Sequence, residues 1–141
     1  MKITIQATVD APIERVWESY TNPKHIVNWN FAIDTWCCPS AENDLRPGGK
    51  YKARMEAKDG SFGFDFEATY DEVIAMKKIV YTIADGRKVV TDFETSGGKC
   101  IVTTAFEAET ENPAEMQKQG WQAILDNFKK YAESSEAINR S

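Results

Sequence analysis

Three turn signals in the middle of the chain limit most strongly what it can fold into. Asp59-Gly60, Asp85-Gly86 and Gly97-Gly98 each separate segments in which apolar and polar residues alternate. Aspartate-glycine and glycine-glycine pairs between alternating segments are typical of short β-hairpin loops. The sequence therefore predicts an antiparallel meander from about residue 51 to about residue 106.

The first of these turns can be tested for register. Pairing outward from Asp59-Gly60 sets opposite charges against each other on one face of the hairpin and apolar residues on the other. The charged pairs are Arg54 with Asp65 and Lys52 with Glu67, and the apolar pairs are Met55 with Phe64 and Ala53 with Phe66. Because both faces agree with one register, we expect this hairpin to form as written.

The next two turns extend the meander. A three-residue loop at Asp85-Gly86 predicts that Ile79 faces Phe93 and that Ile83 faces Val89. The turn at Gly97-Gly98 predicts that Phe93 faces Val102 and that Val89 faces Phe106. Together the turns predict five or six antiparallel strands.

Helices are predicted on both sides of the meander. An alternating strand over 3–9 is followed by apolar residues spaced three and four apart, Ile13, Val16, Trp17 and Tyr20, which indicate a short helix. A second short helix is expected over 24–28, and the segment 29–49 is expected to be irregular. After Asn112-Pro113, Trp121, Ile124, Phe128 and Tyr131 mark one face of a long helix.

Helices segregated to one face of an antiparallel sheet define an α+β fold, in which a curved sheet wraps around the C-terminal helix. We expect one domain over residues 1–132 and a disordered tail over 133–141. A sheet that diverges from the helix at one end leaves a gap, which is a natural ligand cavity.

Composition excludes several functions. The net charge of −5 comes without a basic stripe, so nucleic acid is not an expected partner. No apolar run is long enough to span a membrane, and we expect a cytoplasmic protein that does not insert into membranes. Cys37, Cys38, Cys100 and the single His25 match neither a disulfide framework nor a zinc pattern, so neither metal nor cofactor is expected. We expect His25 to be a surface or capping residue.

Four motifs resemble the START-like superfamily, and within it the branch named for the activator of the heat-shock-protein-90 ATPase. The motifs are the segments 10–17 (DAPIERVW), 21–25 (TNPKH), 44–51 (DLRPGGKY) and 119–121 (QGW). The resemblance covers about residues 3–131 and implies a helix-grip fold around an internal cavity. Asn30 and Cys37 depart from the pattern, since many relatives carry tryptophan and histidine there.

Aromatic and apolar residues of the predicted sheet, the irregular segment and the last helix are the candidate ligand contacts. They are Trp29, Trp36, Tyr51, Met55, Phe64, Phe66, Tyr70, Phe93, Val102 and Trp121. Arg54, Asp65 and Glu67 would be candidates for proton transfer if their face turned inward, but a solvated charge ladder is the alternative. We expect Gly120 to let the helix approach the sheet or to leave room for a ligand.

These features favour a non-catalytic carrier or sensor that binds a small hydrophobic or aromatic molecule. The resemblance leaves two alternatives open: an enzyme similar to polyketide cyclases and dehydratases, and an interaction module that stimulates a chaperone ATPase. The sequence shows no exposed apolar patch that would dock a partner, although a weak homodimer is compatible with it.

Overall fold

The computed structural model of the chain describes residues 2–134 and Ala137. In chain order the elements are β1 (Lys2–Val9), α1 (Ile13–Thr21), α2 (Pro23–Ile26), β2 (Trp36–Asn43), β3 (Lys50–Ala57), β4 (Gly63–Ile74), β5 (Lys78–Ile83), β6 (Lys88–Ser96), β7 (Lys99–Glu107) and α3 (Ala114–Glu133). The seven strands form one antiparallel sheet in the order β1-β7-β6-β5-β4-β3-β2. The sheet curls around α3, and this confirms the predicted helix-grip α+β fold.

The registers of two hairpins are confirmed. In the β3–β4 pair Arg54 lies opposite Asp65 and Ala53 opposite Phe66. In the β6–β7 pair Phe93 lies opposite Val102, as the turn at Gly97-Gly98 predicts. The two-residue side-chain period sets both registers. The β3–β4 loop itself is longer than the two-residue turn expected at Asp59-Gly60, because the Ala57 N–H donates to the Phe62 carbonyl and residues 58–61 form the loop.

The predicted register of the β5–β6 hairpin is wrong by two residues. Ile79 pairs with Thr91, and Tyr81 pairs with Val89. The loop has three residues as expected, but it is 84–86 because Gly86 takes φ +94° as its last residue. That left-handed conformation is the one that closes a three-residue loop, and glycine adopts it without a steric penalty.

The segment expected to be irregular contains an edge strand. β2 pairs with β3 from Trp36, opposite Ala57, to Asn43, opposite Tyr51. Its register shifts between Cys37 and Ser40, so the strand carries a bulge that includes the proline at position 39. A proline and a bulge are tolerated at a sheet edge because no further strand needs the missing N–H group. They also hide the strand from a reading of sequence periodicity.

Aromatic rings join α1, α3 and the sheet into one core. Phe128 of α3 is fully buried, and its ring lies 5.1 Å from that of Tyr20 and 5.0 Å from that of Trp29. Phe93 of β6 contacts Tyr20 from the opposite side at 5.3 Å. The amphipathic faces of α1 and α3 therefore meet over the middle of the sheet, as their spacing predicts.

The end of α3 is fixed to the corner between β1 and α1. Glu133 Oε2 accepts hydrogen bonds from the Asp10 backbone N–H at 2.7 Å and from Lys129 Nζ at 2.6 Å. Partial burial opposes ionisation, but these two donors outweigh it and lower the pKa of Glu133. Of the tail predicted for 133–141, Glu133 is helical and Ala137 is buried; apart from Ser134, the rest lies outside the described residues.

The expectation for His25 is wrong. The side chain is fully buried, and its Nδ1 lies 2.6 Å from the hydroxyl of Tyr131 on α3. α2 packs beneath the end of α3, so a residue that looks like a turn residue in sequence becomes a polar link in the core. None of the helices in the described ranges is long and apolar enough to cross a membrane.

Candidate ligand cavity

A cavity of about 330 Å³ lies between the sheet, α1 and α3. Its volume is at the lower end of the range of roughly 300–1,000 Å³ that is typical of small-molecule sites. Seven of the predicted ligand contacts line it: Trp29, Tyr51, Met55, Phe64, Phe66, Tyr70 and Trp121. These residues come from β3, β4, α3 and the turn after α2.

Three predicted contacts do not line the cavity. Phe93 points toward the helices but is covered by the rings of Trp17 and Tyr20. Val102 is completely buried in the core. Trp36 lies at the sheet edge, where its ring packs on those of Phe62 and Phe64.

The cavity wall also includes residues that were not predicted. They are Ile5, Tyr20, Asn30, Ile79, Tyr81, Arg87, Thr104, Glu109, Ile124 and Leu125. The sequence held a signal for some of them, because Ile124 and Leu125 follow Trp121 at helical spacing, and Tyr81 lies two residues after Ile79 and so on the same face of β5. Asn30 and Glu109 lie outside regular elements, and no periodicity could place them.

Hydroxyl groups supply most of the polarity inside the cavity. Tyr20 faces Thr91 and Thr104, whose own hydroxyls lie 3.0 Å apart. Burial raises the pKa of Tyr20, and these two neighbours offset only part of that effect. Tyr70 donates to Asn43 Oδ1 at 2.6 Å, so its proton is already engaged.

Tyr51 and Tyr81 are two further phenols of the cavity wall. Burial is the main reason that both pKa values lie well above the ordinary tyrosine value, and the neighbouring phenols raise them further. The Tyr51 oxygen accepts a hydrogen bond from Asn30 Nδ2 at 3.1 Å. At neutral pH the two side chains are therefore uncharged hydrogen-bonding groups in an apolar wall.

Two charged residues, Arg87 and Glu109, line the cavity. Arg87 pairs with Asp85 through its Nε at 2.8 Å and donates from Nη1 to the Glu107 carbonyl at 3.1 Å. Gln117 of α3 braces the backbone of Glu109, accepting from its N–H at 2.9 Å. Two of the five guanidinium N–H groups are therefore bonded to protein partners, and the positive charge is paired with Asp85.

The three proton-transfer candidates are elsewhere. Arg54 lies 3.5 Å from Asp65 and 2.9 Å from Glu56 on the charged face of the β3–β4 hairpin, with side chains more than a third exposed. Arg54, Asp65 and Glu67 do not line the cavity described above. Water screens exposed pairs of this kind, and the arrangement is the solvated ladder.

Cys38 is not a reactive thiol. Burial raises the pKa of the Cys38 thiol to about 11, which leaves it protonated at neutral pH. Within 2–134 and Ala137, no group of three histidine, cysteine, aspartate or glutamate side chains could hold a metal ion.

A Cβ atom at Gly120 would meet nothing within 4 Å, so the expected close approach of helix and sheet is not observed.

An exposed aromatic cluster lies beside the cavity, contrary to the expectation of no apolar patch. It consists of Trp36, Phe62 and Phe64, with ring centroids 5.8–6.4 Å apart, and is called the edge cluster below. Phe62 is 62% exposed, and Phe64 also lines the cavity. The missed strand β2 explains the error, because it carries Trp36 to the hairpin tip.

Solved structures with the same fold include close relatives. An AHSA1-like protein from Aeromonas hydrophila is 40% identical, with 97% of this chain and 95% of that chain covered and a TM-score of 0.91. A protein from Cytophaga hutchinsonii is 46% identical, with 96% and 94% covered and a TM-score of 0.82. The Aha1 dimer from Colwellia psychrerythraea shares the fold at 15% identity, with 94% and 96% covered and a TM-score of 0.74.

No curated protein matches the chain significantly. The family model described as "Activator of Hsp90 ATPase homolog 1-like protein" matches residues 10–133, which includes both short helices, β2–β7 and α3. By this match and by its 40% identity with the AHSA1-like protein from Aeromonas hydrophila, the chain belongs to the Activator of Hsp90 ATPase homolog 1-like family.

Proposed function

We propose that this protein binds one small, largely apolar molecule in the cavity and acts as a non-catalytic carrier or sensor. The observation that carries the proposal is a cavity of about 330 Å³ walled by aromatic and aliphatic side chains from both the sheet and α3. A fully packed core has few voids larger than a water molecule, so a space of this size in a small domain favours a binding role.

The chemistry of the wall supports binding over catalysis. No serine or cysteine is among the cavity-lining residues of the described chain, and the one lining threonine, Thr104, is hydrogen-bonded to Thr91. Covalent catalysis needs a nucleophile beside a base. At roughly 0.4 kcal/mol per non-hydrogen atom, a ligand of about 16 such atoms would bind with a Kd in the tens of micromolar.

The test is a titration with N-phenyl-1-naphthylamine, an uncharged probe that fluoresces in apolar surroundings. We expect saturable binding near one probe per chain. Ile124→Trp should fill the space and weaken binding at least tenfold. Met116→Trp is the matched control, because Met116 lies on the same helix, is exposed and does not line the cavity.

Both variants should keep the wild-type circular dichroism spectrum. Wild-type protein that shows no saturable binding would contradict the proposal, as would equal binding by the two tryptophan variants. Native mass spectrometry of protein purified from its own host would then give the mass of any retained ligand.

A second candidate function is self-association through the edge cluster. Exposed aromatic groups are enriched at protein interfaces, and the Colwellia relative is a dimer. We propose a weak homodimer in which two edge clusters meet. Sedimentation velocity should show association that increases with concentration and is lost in Phe62→Ser, whereas the exposed Met116→Ser should behave as wild type. A monomer at all concentrations would exclude this candidate.

A further inference from the structure

Two hydroxyl protons in the cavity are left for a ligand. Because the Tyr51 oxygen accepts from Asn30 Nδ2, its own proton remains available to donate. The Tyr81 hydroxyl makes no hydrogen bond to any part of the chain that the structure describes, yet it lines the cavity. The Tyr70 hydroxyl, by contrast, already donates its proton to Asn43 Oδ1.

The two donors belong to one aromatic group. The ring centroids of Tyr51 and Tyr81 are 6.3 Å apart, and the ring of Phe66 lies 6.0 Å from the first and 6.2 Å from the second. Trp121 faces Phe66 from α3 at 6.4 Å. A ligand in this part of the cavity would therefore meet aromatic surfaces on two sides and phenol donors beside them.

The charges around the cavity favour an uncharged ligand over an anionic one. A phenol can donate to an uncharged acceptor with little cost, but a buried carboxylate needs a cation to replace its lost hydration. Arg87 is the lining cation within residues 2–134, and it is already bonded to Asp85 and to the Glu107 carbonyl. A buried ligand carboxylate would have to compete with Asp85 for a cation that is already paired.

We infer that the cavity recognises an uncharged aromatic ketone, whose carbonyl oxygen accepts hydrogen bonds from Tyr51 and Tyr81. A carbonyl oxygen has two lone pairs and so can accept from both phenols. This inference rests on the proposed binding function and adds to it the chemical class of the ligand.

Matched pairs of probes test the inference separately from the binding function. Fluorenone and fluorene share a planar three-ring shape but differ in the carbonyl, as do benzophenone and diphenylmethane. Calorimetric or fluorescence titrations should show that wild-type protein prefers the ketone of each pair by roughly three- to tenfold, since a net hydrogen bond contributes about 0.5–1.5 kcal/mol.

Tyrosine-to-phenylalanine variants test whether the preference for ketones depends on the hydroxyls of Tyr51 and Tyr81. Tyr81→Phe removes a hydroxyl without a described protein partner, so it should reduce the preference while leaving the melting temperature unchanged. Tyr51→Phe with Tyr81→Phe should reduce the ratio to about one through weaker ketone binding, with hydrocarbon binding retained. Tyr131→Phe is the control, because it removes a buried hydroxyl that bonds to His25 outside the cavity and should leave the ratio unchanged.

Other results would contradict the inference, and they can be told apart. Equal binding of ketone and hydrocarbon by wild type, or a preference that survives the double variant, would overturn the assignment and leave the binding function intact. Absence of saturable binding for all four probes would overturn both. Fluorenone-4-carboxylate should bind at least tenfold more weakly than fluorenone, and tighter binding would show that the cavity selects an anion through Arg87 instead.

Discussion

Replacing Phe128 tests whether α3 holds the fold together. The side chain is completely buried on α3, and it packs edge to face on Tyr20 of α1 and on Trp29. It therefore joins α3 to two N-terminal segments that are far from it in sequence. Phe128→Ala would remove both ring contacts and leave a cavity in the buried core.

The expected cost follows from burial and ring contacts. Truncation of a buried phenylalanine to alanine costs about 3–5 kcal/mol, and each aromatic pair adds about 0.5–1.5 kcal/mol beyond its buried area. With two ring pairs lost, Phe128→Ala should fall near the upper end, at about 4–5 kcal/mol. That is a large part of the roughly 5–15 kcal/mol that stabilises a typical domain.

Trp121 on the same helix provides the comparison. Its ring stacks on Phe106 at 4.1 Å, but it is partly exposed and already borders the cavity. Trp121→Ala enlarges an existing space instead of opening a new one in packed surroundings. We expect a smaller loss of about 2–3 kcal/mol, and a change in ligand binding that Phe128→Ala should not produce directly.

Equilibrium unfolding in urea, followed by circular dichroism, measures both costs. The m-values should match wild type if unfolding stays two-state. A loss below about 1 kcal/mol for Phe128→Ala would show that α3 is peripheral to stability. A loss for Trp121→Ala equal to that for Phe128→Ala would refute the distinction between packed core and cavity wall.

Three further predictions concern single residues. Gly120→Ala should raise the free energy of unfolding by about 1 kcal/mol in the same urea assay, because the space for a Cβ atom is open and a mid-helix glycine is unfavourable; a loss would reveal a contact there. The lowered pKa of Glu133 stabilises the fold above the unfolded value of about 4.3 and not below the folded value. The stability difference between wild type and Glu133→Gln, which weakens the bond to Asp10, should therefore be constant above about pH 5 and shrink below about pH 4; a difference that grows in acid would contradict this sign. Iodoacetamide at pH 8 should modify Cys37 in the native protein and spare the buried Cys38, as peptide mass mapping would show; rapid modification of Cys38 would contradict its burial and raised pKa.

Local rules predicted most of the fold. The period of two on β3 and β4, with a turn centred on Asp59-Gly60 between them, leaves one register that satisfies charge and burial together. The spacing of Trp121, Ile124 and Phe128 likewise defines the inner face of α3 before any tertiary contact is known. The three-residue loop at Asp85-Gly86 could be placed at more than one position in the sequence. The predicted position was wrong, and the observed loop ends at Gly86.

The sequence also determined that an aromatic surface would face α3, since alternation on β3–β6 assigns each ring to a face. Only the tertiary structure decided which of those rings would border open space. Phe93 and Tyr81 both point inward, but α1 covers Phe93 with Trp17, whereas Tyr81 faces the gap between sheet and helix. The difference depends on the sheet's curvature and on where each helix crosses it, and these are set by contacts between residues that are distant in sequence.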